Sequence, residues 1–263
     1  MSPAADKLVP CPEDKGVREA KRRRRDLLEL GVAYGLILVA LWTPRPWQLV
    51  CDWTALAWVV ASTILSFDGW TVMGLRERGF ARSLWVAGVA LLLAAAAVAA
   101  SARLHTLHAP GAPLLFVRRF WTYGVWAVLQ EFLLLDFFLL RLLRLLPNRT
   151  AAVLTTVGLF TLAHIPNPVL MPLVVVWGLA ACALFLRYRN VYTLGLAHAV
   201  LGICVAITVP GSADHNMRVG LGYLTYRPYS AHHHWKKSPH SVSTVAWVSA
   251  DAPTRRSLRQ ARP

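Results

Sequence analysis

Three ionisable side chains stand where lipid makes them expensive: Glu131 and His198 inside apolar runs, and His164 at the end of one. Such a group near a bilayer centre costs about 2.5–3.5 kcal/mol on insertion scales, so each marks a functional position by default. A carboxylate and two imidazoles are groups that activate water, relay protons or ligate zinc. Gln130, directly before Glu131, adds an amide that can donate a hydrogen bond. Each residue also has a plainer reading, since an intramembrane His or Glu often only hydrogen-bonds a neighbouring helix.

Apolar helices must hold these groups, and the composition supplies them. The chain has 263 residues, 56% hydrophobic and 16% charged, a balance that argues against an ordinary soluble domain. Apolar runs at about 27–42, 50–67, 83–102, 117–146, 151–164, 169–187 and 190–209 predict an all-α, polytopic membrane helix bundle of about seven transmembrane helices. The run at 151–164 is shorter than the roughly 20 residues that span hydrocarbon, so its end needs shelter from protein. The first run ends in Thr43-Pro44-Arg45-Pro46 without a small-x-small cleavage pattern, and reads as a retained helix rather than a signal peptide. Four regions follow: a basic cytoplasmic arm (1–26), N-terminal transmembrane helices with an outer connection (27–116), a core (117–210) and a basic, flexible tail (211–263), within which 216–223 has the pattern of a turn ordered against the membrane.

The net charge of +15 is concentrated at the two ends. Lys21-Arg22-Arg23-Arg24-Arg25 places the N-terminus in the cytoplasm by the positive-inside rule and attracts anionic lipid headgroups. Nucleic acid is not an expected partner, because no binding motif accompanies the basic tail. Cys11, Cys51, Cys182 and Cys204 have no CxxC spacing and read as packing residues. His232, His233, His234 and His240 lie in a polar stretch without nearby carboxylates and enter no predicted metal site.

Depth along the helices supports a shared site. From the basic residues that bound each helix, Glu131 is ten residues from Arg141, or roughly 15 Å; His164 is fifteen from Arg149, or roughly 22 Å; and His198 is nine from Arg189, or roughly 14 Å. Three helices therefore carry a titratable group at comparable depth. Asp136 is expected only as a supporting group, because five residues of α-helix put it about 140° around from Glu131.

Gln130-Glu131-Phe132-Leu133-Leu134-Leu135, Phe160-Thr161-Leu162-Ala163-His164 and His198-Ala199-Val200-Leu201-Gly202 occur in order on three helices. Over about residues 117–210 this pattern resembles the CAAX protease and bacteriocin-processing (CPBP, or Abi) family of intramembrane proteases, marked by Glu-Glu-x-x-x-Arg, Phe-x-x-x-His and His-x-x-x-Asn. The resemblance implies a four-helix catalytic core in a prokaryotic cell membrane and hydrolysis of a peptide bond in a membrane-associated substrate. The resemblance implies that the first Glu of the pair and the motif-two His activate water while the motif-three His and Asn support the oxyanion; with Gln at the first position, Glu131 and His164 are expected to activate the water here, and His198 with Gln130 to donate toward the oxyanion. Gln130, Leu135 and Gly202 depart from the family's first Glu, its Arg and its Asn.

The mechanism implied is metal-independent and no cofactor is expected. Zinc held by Glu131, His164 and His198 is the alternative, since three ligands would leave a position for water. Two other functions fit the same residues: a catalytically silent membrane scaffold, favoured by the three departures, and a small proton-coupled carrier, for which no inverted repeat is visible. No pattern in the chain specifies an oligomeric state.

Overall fold

The computed structural model describes residues 12–77 and 79–227. The first eleven residues and everything from 228 onward, including the histidines at 232–234 and 240, lie outside the described residues. Within them the elements are α1 (Pro12–Trp42), α2 (Trp47–Leu65), α3 (Phe80–Arg103), α4 (Pro113–Glu131), a π-helical segment (Phe132–Leu139), α5 (Leu140–Leu145), α6 (Arg149–Leu162), α7 (Leu170–Tyr188), α8 (Val191–Thr208) and the short α9 (Gly211–Asp214) and α10 (Gly220–Leu224). Because α4, the π segment and α5 run on without a break, seven long rods make up the bundle. Four of them, α2, α3, α7 and α8, are each long and apolar enough to cross a membrane.

Local chemistry sets the breaks between rods. Pro147 cannot continue α5, and the Asn148 side chain then accepts the Ala151 N–H at 2.7 Å, capping α6. Asn167, fully buried, accepts the N–H groups of Val169 and Leu170 at 3.0 Å each and so starts α7. Arg189 ends α7 in the left-handed conformation (φ 51°), and Asn190 accepts the Thr193 N–H at 3.0 Å to open α8. All three of these breaks fall where the sequence has Asn next to a Pro or an Arg.

Residues 211–227 fold back, and the stretch 216–223, read from sequence as an ordered turn, lies within them. Asn167 donates from Nδ2 to the carbonyls of Asp214 (2.7 Å) and Arg218 (3.0 Å), and the Gly220 N–H bonds Ile165 O at 2.8 Å. Four backbone groups, the carbonyls of Ile165, Asp214 and Arg218 and the Gly220 N–H, are thereby paired, and α10 is brought against α1.

α8 is the central rod, with α3 and α4 as its main neighbours, while α1 pairs with α2 and α6 with α7. Small residues let α4 approach α8 closely. A Cβ on Gly195 would lie 2.9 Å from Val128 Cγ2 and 3.2 Å from Val128 Cα, and a Cβ on Gly202 would overlap the Tyr123 ring, whose Cζ is 2.6 Å away. His198 sits between those two glycines on the same stripe of α8, three residues after one and four before the other.

At the opposite end of the rod that carries Glu131, charges fasten it to α1. Arg144 grips Asp26 through two bonds (2.8 and 2.9 Å) and also bonds Asp68 at 2.5 Å. Arg141 bonds Glu29 at 2.9 Å and lies 3.9 Å over the Phe137 ring. Arg141 is 3% exposed, so it is a buried ion-pair partner rather than the headgroup anchor that the depth estimate took it to be.

Candidate active site

Glu131 closes α4 with 0% exposure, and its carboxylate is held from two other helices. The Trp177 indole N–H on α7 donates to Oε1 at 2.5 Å, and His198 Nδ1 on α8 meets the same oxygen at 2.7 Å. Oε2 has no hydrogen-bond partner. A carboxylate taken out of water needs such donors, and charge-assisted bonds to it are about twice as strong as neutral ones. Because Oε1 can only accept from an imidazole N–H, Nδ1 of His198 carries the proton, and Nε2 of the neutral ring keeps its lone pair.

His164 is oriented by its own helix end. Its Nδ1 donates to the Phe160 carbonyl at 2.7 Å, one turn back, which again leaves Nε2 of the neutral ring as an acceptor. The Phe160 ring stands edge-on to both imidazoles, with centroids 4.7 Å from His164 and 6.5 Å from His198, and Trp177 flanks His198 at 5.7 Å. Phe160 is thus the wall that both histidines share. The aromatic edges fix ring orientation and leave both histidines half-buried rather than sealed.

The structure joins Glu131 to His198 directly and reaches His164 through Phe160, whereas the sequence expectation paired Glu131 with His164. Gln130 is half-buried, and neither imidazole Nδ1 reaches its amide, since those atoms are taken by Glu131 and Phe160. Leu135, where the family pattern has Arg, is fully buried in the apolar core.

The π segment starts at the residue after Glu131 and changes the register of everything beyond it. The Leu140 N–H bonds Leu135 O, five residues back, as π geometry requires. Residues five apart come round to nearly the same side, so the 140° separation expected between Glu131 and Asp136 does not hold. Asp136 is 1% exposed and both of its carboxylate oxygens lack partners. π segments often sit at functional sites, and this one adjoins the buried carboxylate.

Zinc held by Glu131, His164 and His198 would require all three at one point. Among the described residues no three His, Cys, Asp or Glu side chains stand close enough to share an ion, so the residues present do not fit that alternative. Trp177 and Tyr123 were not singled out from sequence as site residues. For Trp177 a signal existed: an indole inside an apolar run needs a partner for its N–H.

Residues 112–204 are Rce1-like. They match the family described as type II CAAX prenyl endopeptidase Rce1-like, in agreement with the resemblance drawn from the three motifs. No curated protein and no solved structure matches the chain. The Rce1-like segment contains Gln130, Glu131, His164 and His198 together with Trp177 and Tyr123. Four helices able to span a bilayer, together with this similarity over residues 112–204 to type II CAAX prenyl endopeptidases, mark the chain as an integral membrane protein.

Proposed function

We propose that the protein is an intramembrane endopeptidase that hydrolyses a peptide bond near the membrane-attached end of its substrate, without a metal ion. The observation that carries this reading is the Glu131–His198 bond at 2.7 Å, made between two helices inside an apolar bundle. A carboxylate on Nδ1 orients the ring and stabilises the imidazolium that forms when Nε2 takes a proton. His198 Nε2 removes a proton from water, with His164 Nε2 accepting the water's other hydrogen. The hydroxide adds to the carbonyl carbon, and the imidazolium then returns its proton to the leaving amine as the C–N bond breaks. Gln130 is within the same turn as Glu131 and supplies an amide donor at the rim. The exposed arginines of α1 keep the N-terminus in the cytoplasm, where a bacterial substrate tail would be presented.

The test is cleavage of a farnesylated peptide ending in Cys-aliphatic-aliphatic-X by purified protein in detergent or liposomes. Glu131→Gln and His198→Ala should each lower kcat by about 10²–10⁴-fold, the range for loss of general base catalysis, at unchanged protein yield. Cleavage that continues at the wild-type rate in Glu131→Gln refutes the mechanism. A silent scaffold is the second reading, supported by Gln130, Leu135 and Gly202 standing at the three departing positions. Under it, Glu131→Gln would fully restore the phenotype of a deletion strain.

A further inference from the structure

Both imidazoles point a proton inward, His198 to Glu131 and His164 to the Phe160 carbonyl, so both neutral rings offer acceptors on Nε2. That arrangement grips a water and takes its proton. It does nothing for the negative charge that builds on the carbonyl oxygen, which needs a hydrogen-bond donor aimed at it. The donor must come from elsewhere, close to His198 and on its face of α8.

Tyr123, on the facing helix α4, meets that description, whereas Gln130 lies on α4 beside Glu131. Gly202 lies four residues beyond His198, one turn along the same face, and its position carries no side chain. The space a Cβ would fill there is occupied from the facing helix by the hydroxyl end of Tyr123, with the ring carbons Cζ and Cε1 at 2.6 and 2.7 Å from that point. Any larger residue at 202 would expel the tyrosine. The phenol is half-buried, and Glu131 lies near enough to act on it electrostatically. A phenol hydroxyl can both donate and accept, and as a donor it suits an oxyanion.

We infer that Tyr123 is a catalytic residue, whose hydroxyl donates to the oxyanion of the tetrahedral intermediate from the space left open by Gly202. The inference rests on the proteolytic reading above and assigns the stabilising half of the reaction to a helix that faces the histidines. No net chemistry is added: the hydroxyl keeps its proton throughout and only shares it with the oxygen that gains and then loses charge.

The experiment uses the full chain and the farnesylated peptide probe, with Tyr123→Phe as the variant that keeps the ring packed against Gly202. Its kcat should fall about 10²–10³-fold with KM nearly unchanged, the signature of a donor used only in the transition state. A peptide phosphinate, whose oxygens imitate the tetrahedral intermediate, should bind more weakly by a comparable factor, while a non-cleavable analogue of the intact peptide binds as before. In a second arm Tyr123→Ala clears the space, and adding Gly202→Asn should recover at least tenfold of the lost kcat by placing an amide donor there. Wild-type kcat in Tyr123→Phe overturns the inference, as does equal weakening of both analogues. The two readings fail separately. Normal turnover in Tyr123→Phe with loss in Glu131→Gln sinks this inference alone, and a wild-type protein that cleaves nothing sinks both.

Discussion

Gly195→Ala tests whether the site depends on how closely α4 approaches α8. The new methyl would stand 3.2 Å from Val128 Cα, a backbone atom that cannot rotate away, and 2.9 Å from Val128 Cγ2. Comfortable carbon–carbon contact begins at about 3.5–4.0 Å, so the helices must separate by about 0.3–0.8 Å. Val128 has little rotamer freedom on a helix with which to absorb this. Glu131 lies three residues along α4 from Val128, and His198 three residues along α8 from Gly195, so the separation falls on their bond. Stretching it from 2.7 Å by that amount takes it to the edge of, or past, the 2.7–3.2 Å range of an N–H···O bond. A bond to a charged group contributes about 1.5–3 kcal/mol, which corresponds to a loss of roughly 10- to 100-fold in kcat. Overpacking should also cost about 1–3 kcal/mol of stability. Peptide cleavage by purified protein, with a melting curve on the same sample, reads both quantities. A variant that melts lower but keeps its full kcat would show that the approach of these helices does not set the dyad, and the reasoning would be wrong.

Three further expectations concern stability and its dependence on charge. Asp136→Asn should leave the melting temperature unchanged or raise it, because both carboxylate oxygens are buried without donors and removing such a charge is worth about 1–3 kcal/mol; a large fall in Tm would mean that the carboxylate is satisfied in the membrane. Glu29→Gln should cost about 3–5 kcal/mol by stranding Arg141, and a compensating Arg141→Met should recover most of it, measured by thermal unfolding in the same detergent. Burial raises the pKa of the Asp214 carboxyl, partly offset by the N–H groups of Asn216 and Met217. The folded protein therefore holds that proton more tightly than the unfolded chain, and the contribution of Asp214 to stability falls as pH rises through the interval above the ordinary carboxylate range. Asp214→Asn should flatten the pH dependence of melting there.

The chain's rods were legible because their ends carry local chemistry. Asn148 and Asn190 cap the helices that follow them, and Arg189 closes the helix before, so the boundaries at 146–149 and 187–191 fell within a few residues of those observed. Spacing to basic residues set Glu131, His164 and His198 at one level, and the Glu131–His198 bond joins two of the three, although Arg141, one of the reference points, is buried against Glu29. What sequence could not show was pairing. Nothing local tells that Glu131 meets His198 rather than His164, because that depends on two glycines of α8 admitting α4. Apolar residues alone fill Phe132–Leu135, and their pattern does not distinguish i→i+4 from i→i+5 bonding, so Asp136 was placed on the wrong side of its helix. Gly202 read as a missing donor, because a one-dimensional motif has no way to record that a tyrosine from another helix fills the gap.

The ionic clasp between α1 and α5 reaches beyond the boundaries of the family. Asp26 and Glu29 lie far outside residues 112–204, yet they neutralise the two guanidinium groups on the rod that ends the dyad's own helix. Excising the matched stretch as a minimal protease would leave two cations without counter-ions in a medium that solvates them poorly. The autonomous unit is therefore larger than the recognisable one. Its N-terminal helix works as a counter-charge that the core cannot do without, and any shortened version needs either that helix or neutral replacements at 141 and 144.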